Sequence, residues 1–154
     1  MTISKSAKSI KSNEVKIRKA TAKDIPQLIK LFSGVKEILD FAGQKHNRHY
    51  FQVYLKTKEC SIIVAEQNNR ICGALTVEFV PRNFTYLSNI VVSKKNRGQG
   101  IGGLLLKSLE KESKKRKINV ILMLVFEWNK QMQHVVEHCE YKKHSMAIQY
   151  YKKF

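Results

Sequence analysis

Acidic residues are scarce in this sequence: 12 Asp and Glu stand against 29 Lys and Arg, a formal net charge of +17. That imbalance favours polyanionic partners, whether a phosphate-rich ligand or a nucleic acid or ribosomal neighbour, beside the plainer reading of a solubilising basic surface. Cysteine is scarce too. Cys60, Cys72 and Cys139 are an odd number without C-x-x-C spacing, which argues against a disulfide framework and for free thiols in a reducing, cytoplasmic compartment. The longest apolar run, VILMLVF at 120–126, falls far short of the roughly 18 to 20 residues that span a bilayer, so no membrane partner is expected. RNP-type aromatics, zinc-finger spacing and duplicated heptads are all missing, and a dedicated nucleic-acid module is therefore not supported.

The first residues, MTISKSAKSIKSN, contain no aromatic side chain and cannot offset the entropy of ordering. A mobile basic tail is expected over 1–13, ahead of one domain over 14–154. The tail lacks the apolar segment of a signal peptide and has few apolar positions for an amphipathic transit helix.

Within the domain, VKIRKA (15–20) alternates as a half-exposed strand does, and Ile25, Leu28, Ile29 and Phe32 recur at helical spacing after the caps of Thr21–Asp24. A second helical stretch is expected over 35–57, interrupted near Gly43, with Tyr50, Val53 and Tyr54 on its inner face. SIIVAEQ (61–67), the turn NNR and ICGALTVEFV (71–80) read as an antiparallel hairpin closed by Pro81. FTYLSNIVV (84–92) is a further strand. A helix follows from Gly100 with Ile101, Leu104, Leu105 and Leu109 inward. INVILMLVFEW (118–128) is apolar on both faces, which predicts a central strand covered on both sides. Asn129 is an N-cap for a short helix whose apolar positions are Met132, Val135, Val136 and Cys139, and SMAIQYY (145–151) reads as a closing strand. The order β α α β β β α β α β predicts an α/β (α+β) fold with a mixed sheet of about six to seven strands.

Four of the seven glycines fall in KKNRGQGIGG, between the strand at 84–92 and the helix that follows. Glycines there let backbone N–H groups at a helix N-terminus approach an anion, with phosphate as the natural guest; tight helix–strand packing without a ligand is the alternative. The basic cluster over 94–117, nine basic residues against two acidic, surrounds this turn. It is not a GxxxxGK[ST] loop, because Gly102 and Gly103 are followed by Leu, and GQGIGG is not a GxGxxG dinucleotide turn.

Arg97-Gly98-Gln99-Gly100-Ile101-Gly102 resembles the R/Q-x-x-G-x-G/A motif of the GNAT N-acetyltransferases. VKIRKATAKDIPQLIKLF is similar to that family's opening strand and helix, and Asn129 with its short helix to its N-x-x-A-x-x-x-Y segment. The resemblance covers about 140 residues. It implies a single GNAT-like domain with a splayed parallel strand pair and acetyl-CoA as the acetyl donor. The turn residues Arg97, Gly98, Gln99, Gly100, Gly102 and Gly103 would hold the pyrophosphate, Ile90, Val91 and Val92 would run along the pantetheine arm, and Asn129 would contact that arm. The implied activity is an acyltransferase that acetylates a primary amine on a protein N-terminus, a lysine or a small molecule. A non-catalytic acyl-CoA sensor and a basic nucleic-acid-associated protein are the alternatives, and a homodimer stays open.

The match thins at the catalytic positions. Val136 stands where the family places its tyrosine acid, Tyr141 comes five residues later, and Leu124 stands where one branch carries a base glutamate. The remaining carboxylates are Glu127 and Glu78, either of which could act as the base or be a surface acid. His134-Val135-Val136-Glu137-His138 fits H-x-x-E-H, but both histidines fall opposite the apolar face of their helix and a third zinc ligand is wanting, so no metal is expected. His46 and His49 read as surface residues.

Overall fold

The computed structural model describes residues 14–35, 46–145, 148, 150 and 152. The expected tail at 1–13 and the Gly43 interruption lie outside the described residues, as does most of the expected strand at 145–151. Ser145, Ile148 and Tyr150 of that segment are in no strand.

Five strands form one sheet in the order β1-β2-β3-β4-β5: β1 (Lys16–Lys19), β2 (Cys60–Gln67), β3 (Arg70–Phe79), β4 (Thr85–Val92) and β5 (Ile121–Met123). The first four are antiparallel, and β4 and β5 are the one parallel pair among the described residues. This is an α/β fold with a mixed sheet, whose five strands among the described residues are one or two fewer than expected for the chain. The β2–β3 hairpin closes on Asn68 and Asn69, both at positive φ (53° and 59°), a conformation that asparagine tolerates and a two-residue hairpin requires.

Helices α1 (Ile25–Ser33) and α2 (Arg48–Lys56) cover one face, while α3 (Ile101–Lys115) and α4 (Lys130–His138) belong to the other. Both faces being covered explains why β2 and β3 read as almost unbroken apolar runs: Ile62 and Val64 pack under α1 and α2, Ile63 and Ala65 under α3. At the start of the first layer, Arg18 forks onto both oxygens of Asp24 (2.8 and 2.9 Å) and reaches Glu66, while Thr21 N–H donates to Asp24 across 2.7 Å. That network fixes the β1–α1 corner.

Three expectations change. In α2 it is Phe51 and Tyr54 that are buried, and Val53 is 44% exposed. In α3, Leu106 turns inward and Leu104 outward, because the helix packs along the row Ile101, Leu105 and Leu109. The expected central strand at 118–128 is only three residues long and, among the described residues, lies at the sheet edge. Ile121 and Met123 face the α3 side, whereas Val120, Leu122 and Leu124 are about half exposed, with no described element over them. Apolar residues at alternate positions on both faces gave no warning that described elements cover only one face.

Candidate functional site

The site is built on the free edge of β4. On one side β4 pairs with β3 along its length, from Thr85↔Phe79 to Val92↔Gly73. On the other it pairs with β5 only over Thr85–Leu87. From Ser88 onward no described strand occupies that edge, so the two parallel strands part there. The parting coincides with a β-bulge: Leu87 opposes Val77 and Asn89 opposes Thr76, leaving Ser88 as the extra residue. As a result two consecutive side chains, Ser88 and Asn89, both reach the α2 side of the sheet, where their partners are Tyr54 and Tyr50.

Beyond Val92 the chain enters the glycine turn. Ser93 N–H donates to Cys72 O (2.9 Å), and buried Asn96 is gripped by Ser93 Oγ (2.5 Å) while its own amide donates to Gln67 Oε1 (3.1 Å). Arg97 Nε donates to Val92 O across 3.2 Å, folding the guanidinium back over the strand end. Gly98 and Gly100 have φ of 76° and 78°, and a Cβ at either would meet nothing within 4 Å. Backbone sign rather than space therefore demands glycine at these two positions. Gly102 and Gly103 serve differently: their added Cβ atoms would touch Val135 Cγ1 (3.5 Å) and Cys139 Sγ (3.6 Å), so they let α4 ride close over the start of α3. The first α3 turn closes with Leu104 N–H on Gly100 O (3.1 Å). The amides of Ile101, Gly102 and Gly103 precede that bond and are the helix's unpaired leading donors.

Between the β4 edge, the turn and α4 lies a cleft of about 460 Å³. Ile90, Val91 and Val92 form its floor, Arg97, Gly98, Gly100, Gly102 and Gly103 one end, and Asn129 lines its α4 wall. Nine of the ten residues expected along a cofactor thus meet in one cleft. Gln99 does not line it; its side chain is exposed and donates to Lys95 O across 3.4 Å. Asn129 is also the N-cap, its Oδ1 accepting from Met132 N–H at 3.0 Å. The chemistry of the lining is one-sided: among the described residues its polar side chains are Asn96, Arg97, Asn129, Gln131, His134 and His138, with no Asp or Glu. Every one of these carries an N–H donor.

The two catalytic candidates lie apart. Glu127 is exposed in the loop before α4, where its main-chain carbonyl accepts from Gln133. Glu78 on β3 is held at the β4 bulge: Tyr54 Oη donates to its Oε1 over 2.7 Å and Ser88 Oγ over 3.2 Å, leaving Oε2 without a hydrogen bond and the carboxylate without an ion pair among the described residues. Next to it, Asn89 Nδ2 donates to Tyr50 Oη (3.1 Å) and Thr76 Oγ1 (3.2 Å). Burial, with smaller contributions from neighbouring groups, holds the Tyr54 phenol well above its ordinary pKa, so it remains a donor. Val136 is buried in the α3-side core. Tyr141 packs against the same core and does not line the cleft; burial and then Glu110 push its phenol upward.

His134 and His138 are exposed as expected, yet they sit on the cleft wall, with ring centroids 6.4 Å apart. No group of three or more potential metal ligands is assembled among the described residues. His46, expected at the surface, packs its ring 4.6 Å from Tyr50 and 5.1 Å from Phe32, whereas His49 is exposed. Sequence reasoning missed Tyr54, Ser88, Asn89 and Asn96 as site residues. Of these only Asn96 carried a signal, as a polar residue inside the basic turn.

Residues 27–141 match the model of the acetyltransferase (GNAT) family, which spans well over half of the chain. The chain belongs to that family of acyltransferases, whose members use acetyl-CoA. A comparison with curated proteins gives no match. Among solved structures, an aminoglycoside acetyltransferase from an uncultured soil metagenomic sample is similar at 20% identity, covering 93% of this chain and 98% of that one, with a TM-score of 0.78. A transcriptional regulator from Bacillus halodurans is similar at 21% identity over 90% and 100% of the two chains, TM-score 0.78. AAC(6')-Iy in complex with the bisubstrate analog CoA-S-monomethyl-acetylneamine is similar at 15% identity over 92% and 99%, again with a TM-score of 0.78. At these identities the likeness is one of fold.

Proposed function

We propose that this protein is an N-acetyltransferase that moves an acetyl group from acetyl-CoA to a primary amine. The observation that carries the reading is the cleft at the parted strands, whose polar lining, among the described residues, is made of donors and holds no carboxylate. A cofactor with a diphosphate fits it: the leading amides of α3 and the turn around Gly98 and Gly100 receive the phosphate oxygens, and the β4 edge at Ile90–Val92, unpaired among the described residues, offers strand-type hydrogen bonds to an extended, amide-bearing arm. Asn129 keeps its side-chain NH₂ for the same arm while its oxygen caps α4.

Acetyl-CoA supplies the activated acyl group. The chain's part is to place an uncharged amine against it and take the amine's proton. Glu78 is better suited than Glu127, because one of its oxygens is fixed by two hydroxyls at the bulge and the other is open. Solvent returns a proton to the departing thiolate, since Val136 offers none. The acceptor enters from the α2 side, beside Tyr50, Tyr54 and Ser88, and is a primary amine of a protein N-terminus, a lysine or a small molecule. The aliphatic residue at 136 also favours a second reading, an acyl-CoA-binding protein of the same fold without turnover.

Thermal denaturation with and without acetyl-CoA, followed by a free-thiol assay over a panel of amines, tests both. A rise in Tm together with thiol release is expected. No rise in Tm overturns the proposal, and a rise without thiol from any acceptor leaves the binding protein.

A further inference from the structure

The H-x-x-E-H segment belongs to no cluster of three or more potential metal ligands among the described residues, and the structure gives it a different place. Gly102 and Gly103 bring α4 down onto the start of α3 at Val135 and Cys139. The residues immediately before those contacts, His134 and His138, follow the same helix–helix seam one turn apart and line the cleft above the glycine turn. Gln131, one turn earlier, continues the row. Glu137, beside His138 on the same helix, is exposed and does not line the cleft, so it is the two imidazoles that face the cavity.

We infer that His134 and His138 grip a phosphate group of the coenzyme from the α4 side, opposite the backbone amides of the turn. The inference rests on the reading of the cleft as an acetyl-CoA site and adds a second, side-chain half to it. Phosphate supply and demand support it. Coenzyme A carries a diphosphate and a separate phosphate monoester, more acceptor oxygens than three leading helix amides can satisfy. An imidazole donates an N–H in either neutral tautomer and two when charged, and i, i+4 placement lets two rings act on one group. Both rings are exposed, so the folded state does not depend on them for packing.

The test is the double variant His134→Ala/His138→Ala, with binding measured by isothermal titration calorimetry for CoA, 3′-dephospho-CoA and S-acetylpantetheine. The Tm of the free protein should be unchanged. CoA should bind about tenfold more weakly to the variant, the size of one lost charge-assisted contact, while S-acetylpantetheine, which has no phosphate, binds both proteins alike. A deficit that disappears with 3′-dephospho-CoA assigns the pair to the 3′-phosphate; one that persists assigns it to the diphosphate, and either supports the inference. His134→Gln/His138→Gln, which retains N–H donors, should recover most of the affinity. Equal CoA affinity in wild type and variant overturns the inference, as does an equal loss for S-acetylpantetheine or a loss of wild-type CoA binding on adding a chelator. Failure of the wild type to bind CoA at all overturns instead the acetyl-CoA reading on which it rests.

Discussion

The Tyr54 hydroxyl and Glu78 Oε1 lie 2.7 Å apart, joining α2 to β3 at the point where the β4 bulge releases that strand from β5. Ser88, the bulged residue, donates to the same oxygen. The carboxylate is therefore aimed by the sheet irregularity that also opens the cleft. Its charge is felt locally: after burial, Glu78 is the next cause of the upward shifts of the Tyr86 phenol and the Cys60 thiol.

Glu78→Gln should lower kcat by roughly 100-fold while leaving the acetyl-CoA dissociation constant within about twofold, because general-base contributions fall in the range 10² to 10⁴ and the residue does not line the cleft. Glu127→Gln should leave both unchanged. Steady-state kinetics with the best acceptor, beside calorimetric binding of acetyl-CoA, reads the two apart. Wild-type turnover in Glu78→Gln would remove this residue from the mechanism.

Gly100 and Gly102 predict opposite kinds of defect. Asparagine tolerates the left-handed region, and a side chain at 100 meets open space, so Gly100→Asn should fold with near-normal stability. Gly100→Val, β-branched in that region, should cost about 1–2 kcal/mol. Gly102→Val sets its branches against Val135 and should pry α4 from α3, weakening acetyl-CoA binding more than it lowers stability. Urea unfolding and coenzyme titration of the three variants check this ordering. Equal stability of Gly100→Asn and Gly100→Val would mean that the turn does not enforce its positive φ.

The glycine turn, the hairpin and the capped α4 were legible because each depends on local chemistry: positive φ, a two-residue Asn turn, an N-cap oxygen. What escaped depends on registration between distant segments. Ser88 becomes a bulge only through the pairing of β4 with β3, and nothing in FTYLSNIVV marks it. Tyr54 reads from the sequence as an inward residue of α2, but its meeting with Glu78 follows from how that helix crosses the sheet. The histidines were rightly placed away from the apolar stripe of α4. Solvent exposure and a place on a cleft wall are compatible, a distinction that helical periodicity alone does not draw.

The Arg18–Asp24 pair should make stability depend on pH in one direction. The Arg18 hydrogen bonds hold the Asp24 carboxyl below the usual carboxylate range, against the opposing effect of burial, and the Thr21 N–H adds to them. A folded-state pKa below the unfolded value of about 3.9 means that the unfolded chain binds the proton first as pH falls. The stabilisation is thus complete above about pH 5 and is lost as pH falls through the depressed folded value. Asp24 is 7% and Arg18 27% exposed at the side chain, so solvent only partly screens the pair. Asp24→Asn should therefore cost about 2 kcal/mol at neutral pH, in the range for hydrogen bonds to charged groups. The gap between wild type and variant should narrow toward pH 2. Urea midpoints measured from pH 2 to 7 decide the matter: a gap constant over that range would show that ionisation of Asp24 does not hold the β1–α1 corner.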